Sequence, residues 1–329
     1  MILILQFIII FGCRNDSELL QPDDSQRLII YTSHKEEVYE PIIREFENRT
    51  GIWVTVITGG TNELLDQIAS GSAAGRCDLM FGGGIESLMS CIDSFESYTC
   101  ENRSFLLPEY EISDSRITPF SALPIVLIYN TRLIESTELK GWSSLLDPTL
   151  CGQIAFANPA VSGSSYTMLC TLCQILGGNP SSVLHDFAKN LDGKQLSGSG
   201  SVLDAVADGI LPVGITLEET ARKRIDEGAP IGMIYPEEGT SSVPDGCAVL
   251  ISAPHPENAR KLIDFIMGED VQNLLVHSMY RRSVRSDIAK LDGMPSEAEI
   301  GLIAYDYQWS SIEHDSNLAL WAEYTGGAS

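Results

Sequence analysis

LIIYTSHKEEVYEPIIREFENRTGIWVTVITGGTNELLDQIASGSAAGRCDLMFGGG, residues 28–84, alternates short β-branched runs with amphipathic stretches. LIIY (28–31) reads as a strand. The following KEEVYEPIIREFENRTG places Val38, Ile42, Ile43 and Phe46 on one helical face and stops at Gly51. IWVTVI (52–57) is a second strand, NELLDQIAS a second helix and DLMF (78–81) a third strand that opens into Gly82-Gly83-Gly84. Such a βαβαβ unit predicts parallel sheet with crossover helices. Ligands of such sheets bind beyond the carboxyl ends of the strands, which here carry Thr32-Ser33-His34, Thr58-Gly59-Gly60-Thr61 and the triple glycine.

A second unit starts after PFSALP (119–124), where IVLIYN (125–130) reads as a strand long enough to cross between two lobes. QIAFA (153–157), VGIT (213–216) and IGMI (231–234) are further strands, with helices near 166–176, 182–191, 201–207 and 217–227. CAVLI (247–251) reads as a returning strand. HPENARKLIDFIMGEDVQNLLVHS then reads as helix, with Pro256 in a first turn and Ala259, Leu262, Ile263 and Ile266 on one face. A lobe entered twice by the chain is the economical organisation, closed by a helical segment at the C-terminal end.

With 329 residues and 44% hydrophobic content, the chain can bury a full core across two α/β lobes. A formal charge of −24 and a pI near 4.4 argue against nucleic-acid binding, which needs clustered Lys and Arg to release counterions. They do not argue against a small anion, because a few oriented N–H groups can hold one inside a negative protein.

MILILQFIIIFG (1–12) is almost wholly apolar, ends at Cys13 and gives way to a polar stretch running to Gln26. This has the shape of a targeting segment, and Ile10-Phe11-Gly12-Cys13 resembles a lipobox whose cysteine would carry the lipid anchor. No Lys or Arg precedes the run and it is short for a signal peptide, which fits a start further upstream; a buried strand or a piece of membrane helix is the alternative. Seven cysteines remain beyond Cys13, an odd number that forbids complete internal pairing. Cys170 and Cys173 form C-x-x-C inside an apolar run without a second pair at zinc spacing, and so read as buried thiols. Cys91 and Cys100 flank a polar loop and could pair.

The densest polar constellation is Asn158-Pro159-Ala160-Val161-Ser162-Gly163-Ser164-Ser165, between a strand and a helix. Helix N-terminal N–H groups flanked by hydroxyls make an anion cradle. Ser197-Gly198-Ser199-Gly200-Ser201 precedes another helix in the same way. Taken singly, each loop is better explained as a helix cap or turn; several at one sheet edge point to a site. Glu218 and Glu238 follow strands and are candidate acceptors for hydroxyls or an amine, whereas Glu219 and Glu237 read as solvated. No G-x-S-x-G, G-x-G-x-x-G, phosphate-loop lysine or H-E-x-x-H motif appears, and of the five histidines only His34 lies at a predicted strand end. The residues point to a binding protein rather than an enzyme.

YTSHKEEVYEPIIREFENRTGIWVTVITGGTNELLDQI, IVLIYNTRLI, NPAVSGSSYT, YPEEGTSSVPDGCAVLISAPHPENARKLIDFIMGEDVQNLL and YRRSVRSDI, in that order, resemble the solute-binding proteins of bacterial ABC importers. The similar group binds ferric ion, thiamine, phosphonates or sugar phosphates, and the resemblance covers about residues 27–290. It implies an α/β, two-lobed type 2 periplasmic-binding-protein fold, the Venus flytrap, with two crossover strands. Residues 1–26 would be signal and tether, 27–122 with 245–290 one lobe, and 123–244 with 291–329 the other. It further implies an extracytoplasmic monomer, anchored through Cys13 at the cell surface or in the periplasm. Such a monomer closes on a small-molecule ligand, uses no cofactor and docks on an ABC permease with its ATPase.

Ligand identity divides the group. Ferric relatives carry a His in the Y-x-x-H-K opening, matched by His34, plus a Glu after the third strand and an adjacent Tyr pair in the second lobe. Here Gly82-Gly83-Gly84 and Ile215-Thr216 stand at those places. Thiamine would want aromatic faces, yet the four tryptophans lie away from the predicted strand ends. F-G-G-G, S-G-S-S, T-L-E-E and P-E-E-G-T look nearer to relatives that bind sugar phosphates or aminophosphonates. The resemblance then implies a cleft formed by Ser33, His34, Gly60, Thr61, Gly83, Gly84, Ser162, Gly163, Ser164, Ser165, Ser199, Gly200, Ser201 and Thr216, with Glu218 and Glu238 on one wall. Ferric iron, thiamine and polyamine remain alternatives, as does a receptor domain that senses ligand for a histidine kinase.

Overall fold

The structure, a computed structural model, describes residues 23–135 and 139–326. Cys13 and nearly all of the expected leader and tether lie outside the described residues.

The chain opens with β1 (Arg27–Thr32), α1 (Glu36–Thr50), β2 (Trp53–Thr58), α2 (Thr61–Ala69) and β3 (Leu79–Gly84). After α3 (Ile85–Met89) it reaches β4 (Thr118–Ala122), crosses at Leu123-Pro124 and enters β5 (Ile125–Asn130). Next come β6 (Ile154–Ala157), α4 (Gly163–Leu176), α5 (Pro180–Leu191), β7 (Gln195–Leu196), α6 (Ser199–Ala207), β8 (Val213–Leu217), α7 (Glu218–Asp226) and β9 (Ile231–Ile234). Residues 240–244 lead back to β10 (Asp245–Val249). α8 (Pro256–Ile266), α9 (Glu269–Met279), β11 (Arg282–Ser283), α10 (Tyr307–Ile312) and α11 (His314–Thr325) complete the chain.

Two sheets result, with strand orders β11-β4-β10-β3-β1-β2 and β7-β6-β8-β5-β9. β1 pairs in parallel with β2 from Arg27 opposite Trp53 to Thr32 opposite Thr58, and with β3 at Ile30 opposite Leu79. The three strands therefore end at one edge. Side chains alternate across each sheet. Leu28, Ile30, Leu79 and Phe81 enter the core beneath α1, α8 and α9, while Tyr31 and Met80 join the opposite core with α2. In the second sheet Ile125 and Leu127 face one core and Val126 and Ile128 the other. Both faces being covered explains the near-continuous apolar runs.

The crossing lies one step earlier than the sequence suggests. β5 belongs wholly to the second sheet, and the outgoing chain passes at Leu123-Pro124 beside the returning residues 240–244. Ile125 N–H donates to Ser241 O at 3.0 Å and the Thr240 hydroxyl donates to Ile125 O at 2.8 Å. Residues 300–305 lie along the same crossing, with Ile303 N–H donating to Thr240 O at 2.9 Å. β4 falls where PFSALP reads as a connector: Pro119 sits beside the register shift between Asp245 and Gly246 of β10, and β11 pairs with β4 only at Ser121 and Ala122. The parallel pairing expected for β1 to β3 is present, and both sheets also carry antiparallel strands, since β4, β5, β10 and β11 pair antiparallel. The long helix after β10 divides at Gly268 into α8 and α9. β3 continues through residues 82–84 because β10 pairs with it as far as Asp245 opposite Gly84, with φ of 114° at Gly82 and 88° at Gly83. All seven described cysteines are free, Cys91 and Cys100 among them.

A buried ion pair ties the lobes together. Arg282, on the edge strand of the first sheet, donates from Nε to Glu218 Oε2 at 2.7 Å and from Nη2 to Oε1 at 3.0 Å. Glu218 opens α7 in the second lobe, and the two side chains are 3% and 1% exposed. Arg222 and the Tyr235 hydroxyl also reach Oε1. Burial pushes the Glu218 carboxyl up, but bonding and charge from Arg282 outweigh it and leave it below the ordinary value. Removing one partner strands the other charge without water, so Arg282→Met is expected to destabilise the fold by about 3–5 kcal/mol in urea denaturation. A loss under about 1 kcal/mol would show that the pair carries no such role.

Candidate functional site

Between the two sheets lies a cleft of about 280 Å³, room for one small solute. The parallel topology decides what lines it, because each helix that follows a parallel strand starts at the carboxyl edge of the sheet. α1, α2 and α3 bring their N-termini from the first lobe, and α4, α6 and α7 from the second. α4 and α6 carry no acidic residue in the first turn, whereas α1, α2, α3 and α7 all do. In a chain of net charge −24, two helix termini left free of carboxylates form a local positive pole.

Hydroxyls crowd that pole. Thr61 faces Ser162, Gly163 and Ser164 across the cleft, with Ser199 and Gly200 beside them. The Ser162 and Ser164 hydroxyls are 3.1 Å apart, and Ser162 caps α4 through Ser165 N–H. The lobes meet closely here. A Cβ at Gly163 would stand 3.5 Å from Thr61 Oγ1, and within the first lobe one at Gly83 would stand 2.8 Å from Thr61 Cγ2.

A second group of cleft residues has opposite chemistry. Arg281, 6% exposed, donates from Nη1 to Asp245 at 2.7 Å and to the Ser121 hydroxyl at 2.9 Å. Its Nη2 is 3.9 Å from Glu219 of the second lobe, and its Nε has no partner. His34 lies edge-on to Phe81, with centroids 4.8 Å apart, and its Nδ1 is 3.7 Å from Asp245. Burial, followed by the charge of Arg281, holds His34 well below its ordinary value, so the ring is neutral. Burial raises the Asp245 carboxyl, and Arg281 partly offsets this.

Of the residues expected from sequence, Ser33, His34, Gly60, Thr61, Gly83, Gly84, Ser162, Gly163, Ser164, Ser199, Gly200 and Thr216 line this cleft. Four do not. Ser165 is buried in the first turn of α4 with its hydroxyl on Ser162 Oγ, and Ser201 lies further along α6. Glu218 is consumed by Arg282. Glu238 accepts from the N–H groups of Trp142 at 3.1 Å and Ser143 at 3.0 Å, capping a short helical turn. Glu219, Asp245 and Arg281 take their place, with Lys35 and Glu37 near the rim. Successive residues at a helix start diverge by about 100°, so only one of Glu218 and Glu219 can face the cleft, and T-L-E-E does not say which. Among the described residues no group of three or more His, Cys, Asp or Glu side chains could hold a metal ion, and no helix is long and apolar enough to cross a membrane.

Residues 96–309 match the model of a family described as bacterial extracellular solute-binding protein. The chain belongs to that family. This solute-binding protein is 25% identical to "Iron uptake protein A1" of Synechocystis over 286 residues, covering 81% of this chain and 78% of the relative. Its fold matches the periplasmic binding protein AfuA from Actinobacillus pleuropneumoniae, whose structure has fructose 6-phosphate bound. That match has a TM-score of 0.84 at 22% identity and covers 92% and 99% of the two chains. A structure titled "Two-component system protein mediate signal transduction" matches with a TM-score of 0.80 and 27% identity, covering 89% and 99%. The family places the solute-binding protein outside the cytoplasm, taking a small-molecule ligand and working with ABC transporter subunits.

The Gly163 contact yields a graded test. Gly163→Ala places its methyl at ordinary contact distance from Thr61 and is expected to leave the scattering radius of gyration unchanged. Gly163→Leu is expected to hold the lobes apart and enlarge it. An unchanged radius for the leucine variant would show that Gly163 does not gate closure.

Proposed function

We propose that the protein captures a small organic phosphate or phosphonate in its interlobe cleft and passes it to an ABC permease with its ATPase. The observation that carries this reading is the polarity of the cleft. One end offers helix N-termini free of acidic residues together with the hydroxyls of Thr61, Ser162, Ser164 and Ser199. The phosphoryl group belongs there, because such donors bind oxyanions without needing a full positive charge. Glu219 and Asp245, held in place by Arg281, would take hydroxyls or an amine at the other end. The AfuA structure supports the reading only through the shared fold. Anchoring through Cys13 and a monomeric state belong to the same proposal.

Ferric iron is the second reading, favoured by the name of the Synechocystis relative. The donor set speaks against it. No tyrosine lines the cleft among the described residues, and its carboxylates Asp245, Glu219 and Glu37 with neutral His34 do not gather into a group of three that could hold a hard trivalent cation. A sensing role remains compatible with the same cleft, since a sensor and a carrier capture ligand by the same closure.

Thermal-shift measurement with fructose 6-phosphate, 2-aminoethylphosphonate and ferric citrate tests the reading. A phosphoryl ligand at about 100 times its dissociation constant should add about 2.7 kcal/mol of stability. Ser164→Ala combined with Ser199→Ala should weaken that ligand by about tenfold or more, since each hydroxyl removes a bond to a charged oxygen. Stabilisation by ferric citrate alone would replace the phosphoryl reading with the iron one.

A further inference from the structure

Glu86, in the first turn of α3, is 1% exposed and lies outside the cleft lining. The Thr167 hydroxyl donates to its Oε1, while its Oε2 has no partner. α3 belongs to the first lobe and α4 to the second, so this bond spans the lobes. Gly163, Thr167 and Thr171 recur along α4 at one-turn spacing and form a single stripe. Gly163 approaches Thr61, Thr167 binds Glu86, and the Thr171 hydroxyl is 2.6 Å from that of Ser241 in the returning crossover. The carboxyl is therefore placed between the cleft and the crossing strands, where relative motion of the lobes must make or break its burial.

The titratable groups around it offer no positive charge. They are Asp245 on β10, itself paired with Arg281; Tyr166 and Cys170 on α4; Tyr305 in the segment before α10; and Tyr307 on α10. An ionised carboxylate with one oxygen unpartnered and no cation beside it is costly to bury. We propose that Glu86 is a proton-binding latch: closing the lobes buries it in its protonated form, so that ligand capture takes up a proton at this one side chain. This rests on the cleft being the ligand site.

The direction follows from linkage. With the lobes parted, Glu86 meets water and titrates as an ordinary carboxyl. With them closed, burial first and the charge of Asp245 next push it up to about 7, and the Thr167 hydrogen bond only partly offsets this. The closed state is therefore fully favoured below the ordinary carboxylate range, loses that advantage as the pH rises to about 7, and changes no further above it. Ligand is held most tightly in acid.

The test is calorimetric titration of fructose 6-phosphate into the wild-type protein and Glu86→Gln, an uncharged stand-in for the acid. Between about pH 5.5 and pH 7.5 the wild-type dissociation constant should rise by about tenfold or more beyond any change in the variant. The part shared by both proteins is the second ionisation of the ligand's own phosphate. Parallel pH curves overturn the latch. Binding by neither protein at any pH overturns the organic-phosphate reading instead, and the latch is then read without ligand. A scattering radius of gyration that grows between pH 5.5 and pH 8 in the wild type but not in Glu86→Gln supports it, and radii that run parallel overturn it.

Discussion

The structure depends on one constraint of parallel pairing: a helix that returns the chain to a neighbouring parallel strand must begin at the carboxyl edge of the sheet. The register of β1 with β2, Thr32 opposite Thr58, and of β1 with β3 aligns those edges in the first lobe. β6 and β8 do the same in the second. Once the crossover sets the two sheets edge to edge, helix N-termini from both lobes must face one another. The cleft is thus a product of topology before any side chain is chosen.

Side chains then decide what the cleft accepts. A net charge of −24 would repel anions at long range, yet screening confines that field to about 8 Å at physiological ionic strength. Inside the cleft the fixed dipoles of α4 and α6 act at contact distance in a water-poor space, where they count for more than distant surface carboxylates. With Glu37 near the rim, Asp245 and Glu219 are the carboxylates that pair with Arg281 in that space. Their ion pairing restrains them, which keeps the opposite end able to offer acceptors without cancelling the donor pole.

Much of this is legible in the chain. The apolar periodicity of residues 28–84 reports β1 to β3 and their helices because both sheet faces are buried. The Gly- and Ser-rich loops report the donor pole because small polar residues are what a close helix start requires. β4 is hidden by Pro119, and the register shift beside the proline lies more than a hundred residues away, between Asp245 and Gly246. Glu218 and Glu238 read as ligand acceptors because a carboxylate after a strand looks the same whether it meets a solute, a guanidinium or backbone N–H. Only tertiary geometry gives Glu218 to Arg282, Glu238 to Trp142 and Ser143, and the cleft to Glu219. Arg281 carries no local signal, standing next to an arginine of purely structural role.

On the proposed function, the donor pole at α4 and α6 holds the phosphoryl group. A crystal structure of the protein grown with fructose 6-phosphate tests it most directly. The phosphorus is expected at the N-termini of α4 and α6, within hydrogen-bonding reach of Ser164 and Ser199, with the sugar hydroxyls toward Glu219 and Asp245. A phosphoryl group found instead on Arg281, or a cleft that stays empty of the compound while binding ferric ion, would contradict it.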